Sequence, residues 1–236
     1  MGLILEICVD SAAGLAQAVA GGADRIELCS ALVLGGLTPS TGFMAQAAHC
    51  GVPVMAMIRP RDGDFCFDDS EALAMERDIA AARQAGLAGV VLGASLPDGR
   101  LDVDLLAHLA AQARGMDLTL HRCFDLCPDR AQALEQAIAL GFRRILTSGG
   151  AVSAMAGRTE LARLSSQAAG RIGIMPGAGI GPETAPMLAA LGFAELHGSC
   201  AEDAPHSGPA VALGFAPAMA RRTSAARIRA LRAALD

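Results

Sequence analysis

The sequence contains no tryptophan and no tyrosine, and aromatic residues make up only 3% of its 236 positions. Platforms on which nucleic-acid bases could stack are therefore nearly missing. Positive charge is not in excess either, the formal net charge being −5. Without a basic stripe there is nothing to grip a phosphate backbone or an anionic bilayer, so neither nucleic acid nor membrane is expected as a partner. The first residues run from Met1 straight into "LILEIC" with no basic n-region, apolar h-region and cleavage site, so secretion is not expected. The longest uncharged stretch, Leu28 to Ile58, is interrupted by "GGLTPSTG" and reads as buried strand, loop and helix. Seven cysteines, an odd and scattered set, do not make a disulfide framework. A cytoplasmic protein with reduced thiols is the expectation. Also missing are a G-x-G-x-x-G turn after the first strand-like run, a P-loop, a nucleophile elbow and a paired-carboxylate motif.

What is present is an apolar chain, 53% hydrophobic, with a recurring unit. An Ala/Leu-rich helical pattern reaches a glycine, and a short apolar run ending in polar residues follows, as in "GLAQAVAGGADRIELCS" and "LEQAIALGFRRILTSG". Strands are expected at Leu3 to Val9, Arg25 to Leu28, Val54 to Ile58, Gly89 to Leu92, Leu118 to His121, Arg144 to Thr147, Ile172 to Met175 and Ala194 to His197. Eight strands, each followed by a helical stretch, predict an α/β chain folded as one (β/α)8 barrel of TIM type over residues 1–236, a fold that typically takes about 250 residues. A final helix is expected from about Ser224 to Leu235, its arginines facing solvent.

Strand side chains alternate between faces, so one face of "LILEICV" carries Ile4, Glu6 and Cys8, and one face of "DRIELC" carries Arg25, Glu27 and Cys29. These residues are expected inside the barrel, with both cysteines nearest the C-terminal mouth, where barrel enzymes keep their active sites. The same rule adds Arg59 and Arg61 in "IRPRDGDF", His121 in "LTLHRCFD", and Glu195 with His197 in "ELHGS". Interior Glu and Arg must pair, so Glu6, Arg25 and Glu27 read equally well as an ion network or as chemistry. The thiols of Cys8 and Cys29, on neighbouring strands about 4.8 Å apart, could share a soft ion such as Cu(I). A buried cysteine that behaves as a small hydrophobe is the competing reading. The glycine-rich "PGAGIGPET", with Gly177 and Gly179, could hold a phosphate or another small anion beside Arg25, Arg59, Arg61 and His197, or could simply make a tight turn. An enzyme working there on a small phosphorylated or anionic substrate would draw on His121, Glu27 or Glu195 for proton transfer.

"LEICVDS", "GADRIELCS", "GGLTPS", "IRPRDGDF", "HRCFD", "LTSGG" and "MPGAGI" follow one another at spacings that resemble the CutC family, over roughly residues 3 to 200. The chain departs from the pattern at Leu34, Asp62 and Cys123. The resemblance implies a cytoplasmic barrel of copper homeostasis, with Cu(I) as the bound ion and Cys8 and Cys29 as its ligands. The sequence sets no oligomeric state, and a homo-oligomer stays open.

Overall fold

The barrel strands are short, the first of six residues and the others of four, and nearly every strand residue is buried. In a computed structural model that describes residues 2–235, they are β1 (Ile4–Val9), β2 (Arg25–Leu28), β3 (Val54–Met57), β4 (Gly89–Leu92), β5 (Asp117–Leu120), β6 (Arg144–Thr147), β7 (Gly173–Pro176) and β8 (Glu195–Gly198). Between them run α1 (Ala12–Gly21), α2 (Thr41–Ala47), α3 (Asp69–Gln84), α4 (Val103–Gln112), α5 (Arg130–Ala139), α6 (Arg158–Ala168) and α7 (Ala185–Ala189). All eight strands are parallel in the order β7-β6-β5-β4-β3-β2-β1-β8, and β7 and β8 approach within 8 Å across the remaining seam. The expected (β/α)8 architecture is therefore present.

The local signals are ordinary ones. Ser11 caps α1 by accepting from the Gly14 amide, and Gly22 ends it in the left-handed region at φ 90°. Asp68 and Glu71 form a reciprocal capping box at the start of α3. Outward residues such as Leu5, Ile7, Ile26, Leu28 and Leu92 are fully buried under the helices and form the main core. The inward face is different, because buried parallel strands are normally apolar on both sides. Here Cys29, Met55, Met57 and Val91 make only a small apolar cluster. Much of the remaining interior is charged.

Strand register explains how that charge is tolerated. Glu6 stands beside Arg25 on β2 and beside His197 on β8, while Cys8 stands beside Glu27. Arg25 bonds both Glu6 and Glu195, and Arg144 continues the chain to Glu195, Asp117 and Thr119 at 3.0 Å each. The interior ion network expected from strand parity is thus built, and Arg144 and Asp117 belong to it as well.

The C-terminal segment differs from the expectation of a lone helix. After β8 come an antiparallel hairpin of β9 (Ala201–Pro205) and β10 (Met219–Thr223), a short α8 (Pro209–Ala212) in its loop, and then α9 (Ala225–Ala233). The arginines of α9 do more than face water: Arg229 and Arg232 donate to the Ala20 and Gly22 carbonyls at the C-terminal end of α1, and Arg232 also pairs with Asp24. Ile228 and Leu231 bury the other face of α9, and a Cβ at Gly21 would meet the Ile228 Cβ at 2.7 Å.

Removing one partner from the buried network leaves uncompensated charge. Arg25→Ala is expected to lower unfolding free energy by about 3–5 kcal/mol in urea denaturation, because Glu6 and Glu195 each lose one of two cationic partners, leaving Glu6 with His197 and Glu195 with Arg144. A loss below about 1 kcal/mol would mean that water reaches these carboxylates.

Candidate functional site

The C-terminal ends of the strands open into a cavity of about 730 Å³ whose lining includes Cys8, Glu27, Arg59, His121, Gly179 and His197. One wall is built on β1, β2 and β8. Glu6 is fully buried and uses both carboxylate oxygens, Oε2 for Arg25 and Oε1 for His197 Nδ1 at 2.8 Å. Burial alone would raise its pKa, but the His197 hydrogen bond and the Arg25 charge prevail and hold it at about 2. Burial would pull the His197 ring down, yet Glu27, Cys8 and Glu6 together push it well above the usual imidazole value. Glu27 has less support: His197 Nε2 lies 3.7 Å away and the Cys29 thiol donates at 3.6 Å. Burial therefore dominates, and its pKa is raised.

Cys8, Glu27 and His197 each offer a ligand atom, and these atoms lie within 4.8 Å of one another. Cys29 stands apart from that trio. Because the barrel register sets Cys8 opposite Glu27, the next inward position, Cys29 just past the end of β2, lies one step beyond it, wholly buried against Glu27. Burial and the Glu27 charge push the Cys29 thiol well up.

The other wall comes from the loops after β3 and from the end of β5. The Arg59 guanidinium donates to the carbonyls of Leu34, Gly36 and Gly63 at 2.8, 3.2 and 2.8 Å and lies 4.9 Å over the Phe65 ring. That ring in turn lies 4.7 Å from the ring of His121. His121 Nδ1 accepts from the Cys123 amide at 3.2 Å, which leaves the ring proton on Nε2. Nε2 itself is buried without a partner, as are Glu27 Oε1 and Arg59 Nε.

The remaining sequence candidates lie elsewhere. Arg25 and Glu195 sit in the ion network and do not line the cavity. Arg61 turns outward to Glu71, Asp64 and the Cys66 carbonyl at the entry to α3. Gly177 donates its amide to Thr147 at 3.0 Å, and its missing Cβ leaves room for Leu146, whose Cδ1 would be 2.5 Å from such an atom. The helix that follows this loop, α7, is five residues long. Phe65 and Arg122, which also line the cavity, were not singled out from the sequence. The HRCFD motif contains Arg122, but nothing in spacing brings Phe65 against His121.

A parallel eight-stranded barrel with ionisable groups gathered at its C-terminal mouth defines a protein of the TIM-barrel class. The chain belongs to the CutC family, whose family model matches residues 3–202. A CutC family protein of Sinorhizobium medicae is 58% identical over 99% of this chain and 96% of its own, and one from Caulobacter vibrioides is 52% identical over 98% of each. Among solved structures, a CutC from Streptococcus agalactiae, named for copper homeostasis, superposes with a TM-score of 0.80 at 31% identity, covering 84% of this chain and 98% of its own. Deoxyribose phosphate aldolase from Aeropyrum pernix, at 12% identity and a TM-score of 0.62, shares the fold alone. All seven cysteines are unbridged, and among the described residues no helix is long and apolar enough to cross a membrane.

Burial, followed by the Arg59 charge, holds the His121 pKa down at about 3. An NMR titration of the His121 ring should accordingly find it neutral from pH 7 down to about 3. A midpoint near its ordinary value of 6.5 would mean that the ring is open to water.

Proposed function

We propose that the protein binds Cu(I) at the barrel mouth through Cys8 and His197 and serves copper homeostasis in a reducing, cytoplasmic setting. The observation that carries this reading is the Cys8, Glu27 and His197 cluster, with ligand atoms within 4.8 Å of one another. Its donor set fits the ion in two of three parts. A thiolate and an imidazole suit Cu(I), whereas the Glu27 carboxylate is a harder donor and serves better as a neighbouring charge. His197 also has the arrangement usual for a ligating histidine: Nδ1 is held by the Glu6 carboxylate at 2.8 Å, which fixes the ring, and Nε2 takes the ion in exchange for its proton. The name of the Streptococcus agalactiae relative points the same way. Cys29, the second ligand implied by the family resemblance, joins only if its thiol gives up Glu27.

The test is an anaerobic Cu(I) titration against a competing chelator. One equivalent should bind to the wild type, and Cys8→Ser and His197→Gln should each cost more than the roughly 10–100-fold typical of losing an outer-shell partner. Cys29→Ser decides between the two-ligand set and one with a second thiol as third ligand, the former predicting little change. Equal affinity in the wild type and Cys8→Ser would end the copper reading.

A further inference from the structure

Metal binding uses one wall of the cavity and leaves the other unexplained. Among the described residues, five buried side-chain polar atoms have no hydrogen-bond partner, and three of them, Glu27 Oε1, Arg59 Nε and His121 Nε2, belong to residues that line this one cavity. Each such atom has given up water without gaining a protein partner, at a cost to the fold. The charged layer below is paired through Arg25 and Arg144 and keeps one such atom, Asp117 Oδ1, which lies 3.1 Å from Arg143, so the cost falls mainly at the mouth.

The three atoms differ in kind, and the difference selects a ligand. Arg59 Nε and the neutral His121 Nε2 are donors, and Glu27 Oε1 is an acceptor. A phosphate or a simple carboxylate would satisfy the donors but meet the Glu27 carboxylate as a like charge. A molecule with a carbonyl oxygen next to a carbon bearing hydrogen and hydroxyl suits both kinds at once. We infer that the mouth is an enolisation site for small α-hydroxy aldehydes and ketones, in which Glu27 is the base and His121 with Arg59 holds the carbonyl oxygen. This inference does not rest on copper binding, although both readings involve Glu27.

The chemistry needs no co-reactant. Glu27 Oε1 takes the α-hydrogen as a proton, the C–H electron pair becomes the carbon–carbon double bond, and the carbonyl π pair moves onto oxygen. That oxygen gathers negative charge against His121 Nε2–H and Arg59. His121 then gives its Nε2 proton to the oxyanion and recovers one from the neighbouring hydroxyl. Return of the Glu27 proton to the former carbonyl carbon completes an aldose–ketose isomerisation. A neutral histidine donor opposite a carboxylate base is an established arrangement for such proton transfers. Here the Cys123 amide fixes the tautomer, and burial keeps the ring uncharged.

The experiment follows α-deuterium uptake in D2O by proton NMR, with dihydroxyacetone, glyceraldehyde and erythrulose as probes. The full-length protein is held in EDTA and a Cu(I) chelator. Wild type should exchange at least one probe well above the buffer rate. Glu27→Gln should fall to that rate, and His121→Gln should lose roughly 10²–10⁴-fold. Glu27→Asp keeps the charge but withdraws the oxygen by one methylene, so it should fold and still lose at least about tenfold, which guards against a folding failure in Glu27→Gln. Exchange at the buffer rate with all three probes, or equal exchange in wild type and both Glu27 variants, would overturn the inference. Because copper is removed throughout, Cu(I) binding without exchange retires only the substrate site, and exchange without Cu(I) binding retires only the metal site.

Discussion

The site depends on Glu6, a fully buried carboxylate shared between Arg25 and His197. An isolated charge in this interior would be prohibitive, so the carboxylate is tenable only because strand register brings a cation to each of its oxygens. Once both oxygens are occupied, the consequences run upward through the barrel. Arg25 is drawn to the centre and reaches Glu195, which in turn ties Arg144 and Asp117 into the same chain. His197 is fixed with Nδ1 toward Glu6, so its Nε2 must face the mouth. Glu27 is left with one distant imidazole and one thiol, too little to offset burial.

The barrel interior therefore divides into two layers of different character. In the lower one, Glu6, Arg25, Glu195 and Arg144 use their polar groups on one another, and stability and strand register account for them. Such a layer is weak evidence for stabilisation in itself, because desolvation consumes most of the Coulombic gain. In the upper layer the accounting fails: Cys8 faces the cavity, and Glu27, His121 and Arg59 each keep an atom without a partner. Unpaired groups concentrated above a largely paired base are what a binding site requires. The base holds the geometry, and the mouth keeps its bonding capacity for a ligand.

Much of this arrangement was legible in the sequence. Helix, glycine and apolar run recur often enough to mark all eight strands, with bounds that differ by a residue or so, because glycine after a helix and burial on both strand faces are strong local signals. Parity within "LILEIC" and "DRIELC" was sufficient to turn Glu6, Cys8, Arg25, Glu27 and Cys29 inward. Applied with equal rigour, the same parity would have added Asp117 and Arg144. Parity says nothing about the stagger between strands, however, and the stagger is what sets Cys8 beside Glu27. The stack of Arg59, Phe65 and His121 was hidden for a related reason, since it joins a loop after β3 to the end of β5. The hairpin of β9 and β10 left no signal because "AEDAP" and "MARRT" are largely exposed and carry no alternating apolar face.

Charge around the mouth limits how any ligand can lie in it. Among the described residues, Arg59, Arg122, Arg221 and Arg227 line the cavity, against only Glu27 and Glu183 of the acids. Arg122 is held by Asp125 at 2.8 Å, and Arg221 lies 3.9 Å from Asp203, so part of that positive charge is already balanced. Arg59 is different, since its acceptors are backbone carbonyls that carry no net charge. The electronegative end of a ligand is thus drawn toward Arg59 and His121, and its donor end toward Glu27. A monovalent cation is drawn the opposite way, to Cys8 and His197 beside the Glu27 carboxylate. The two occupants would approach Glu27 from opposite walls of one cavity, and that residue is where their requirements meet.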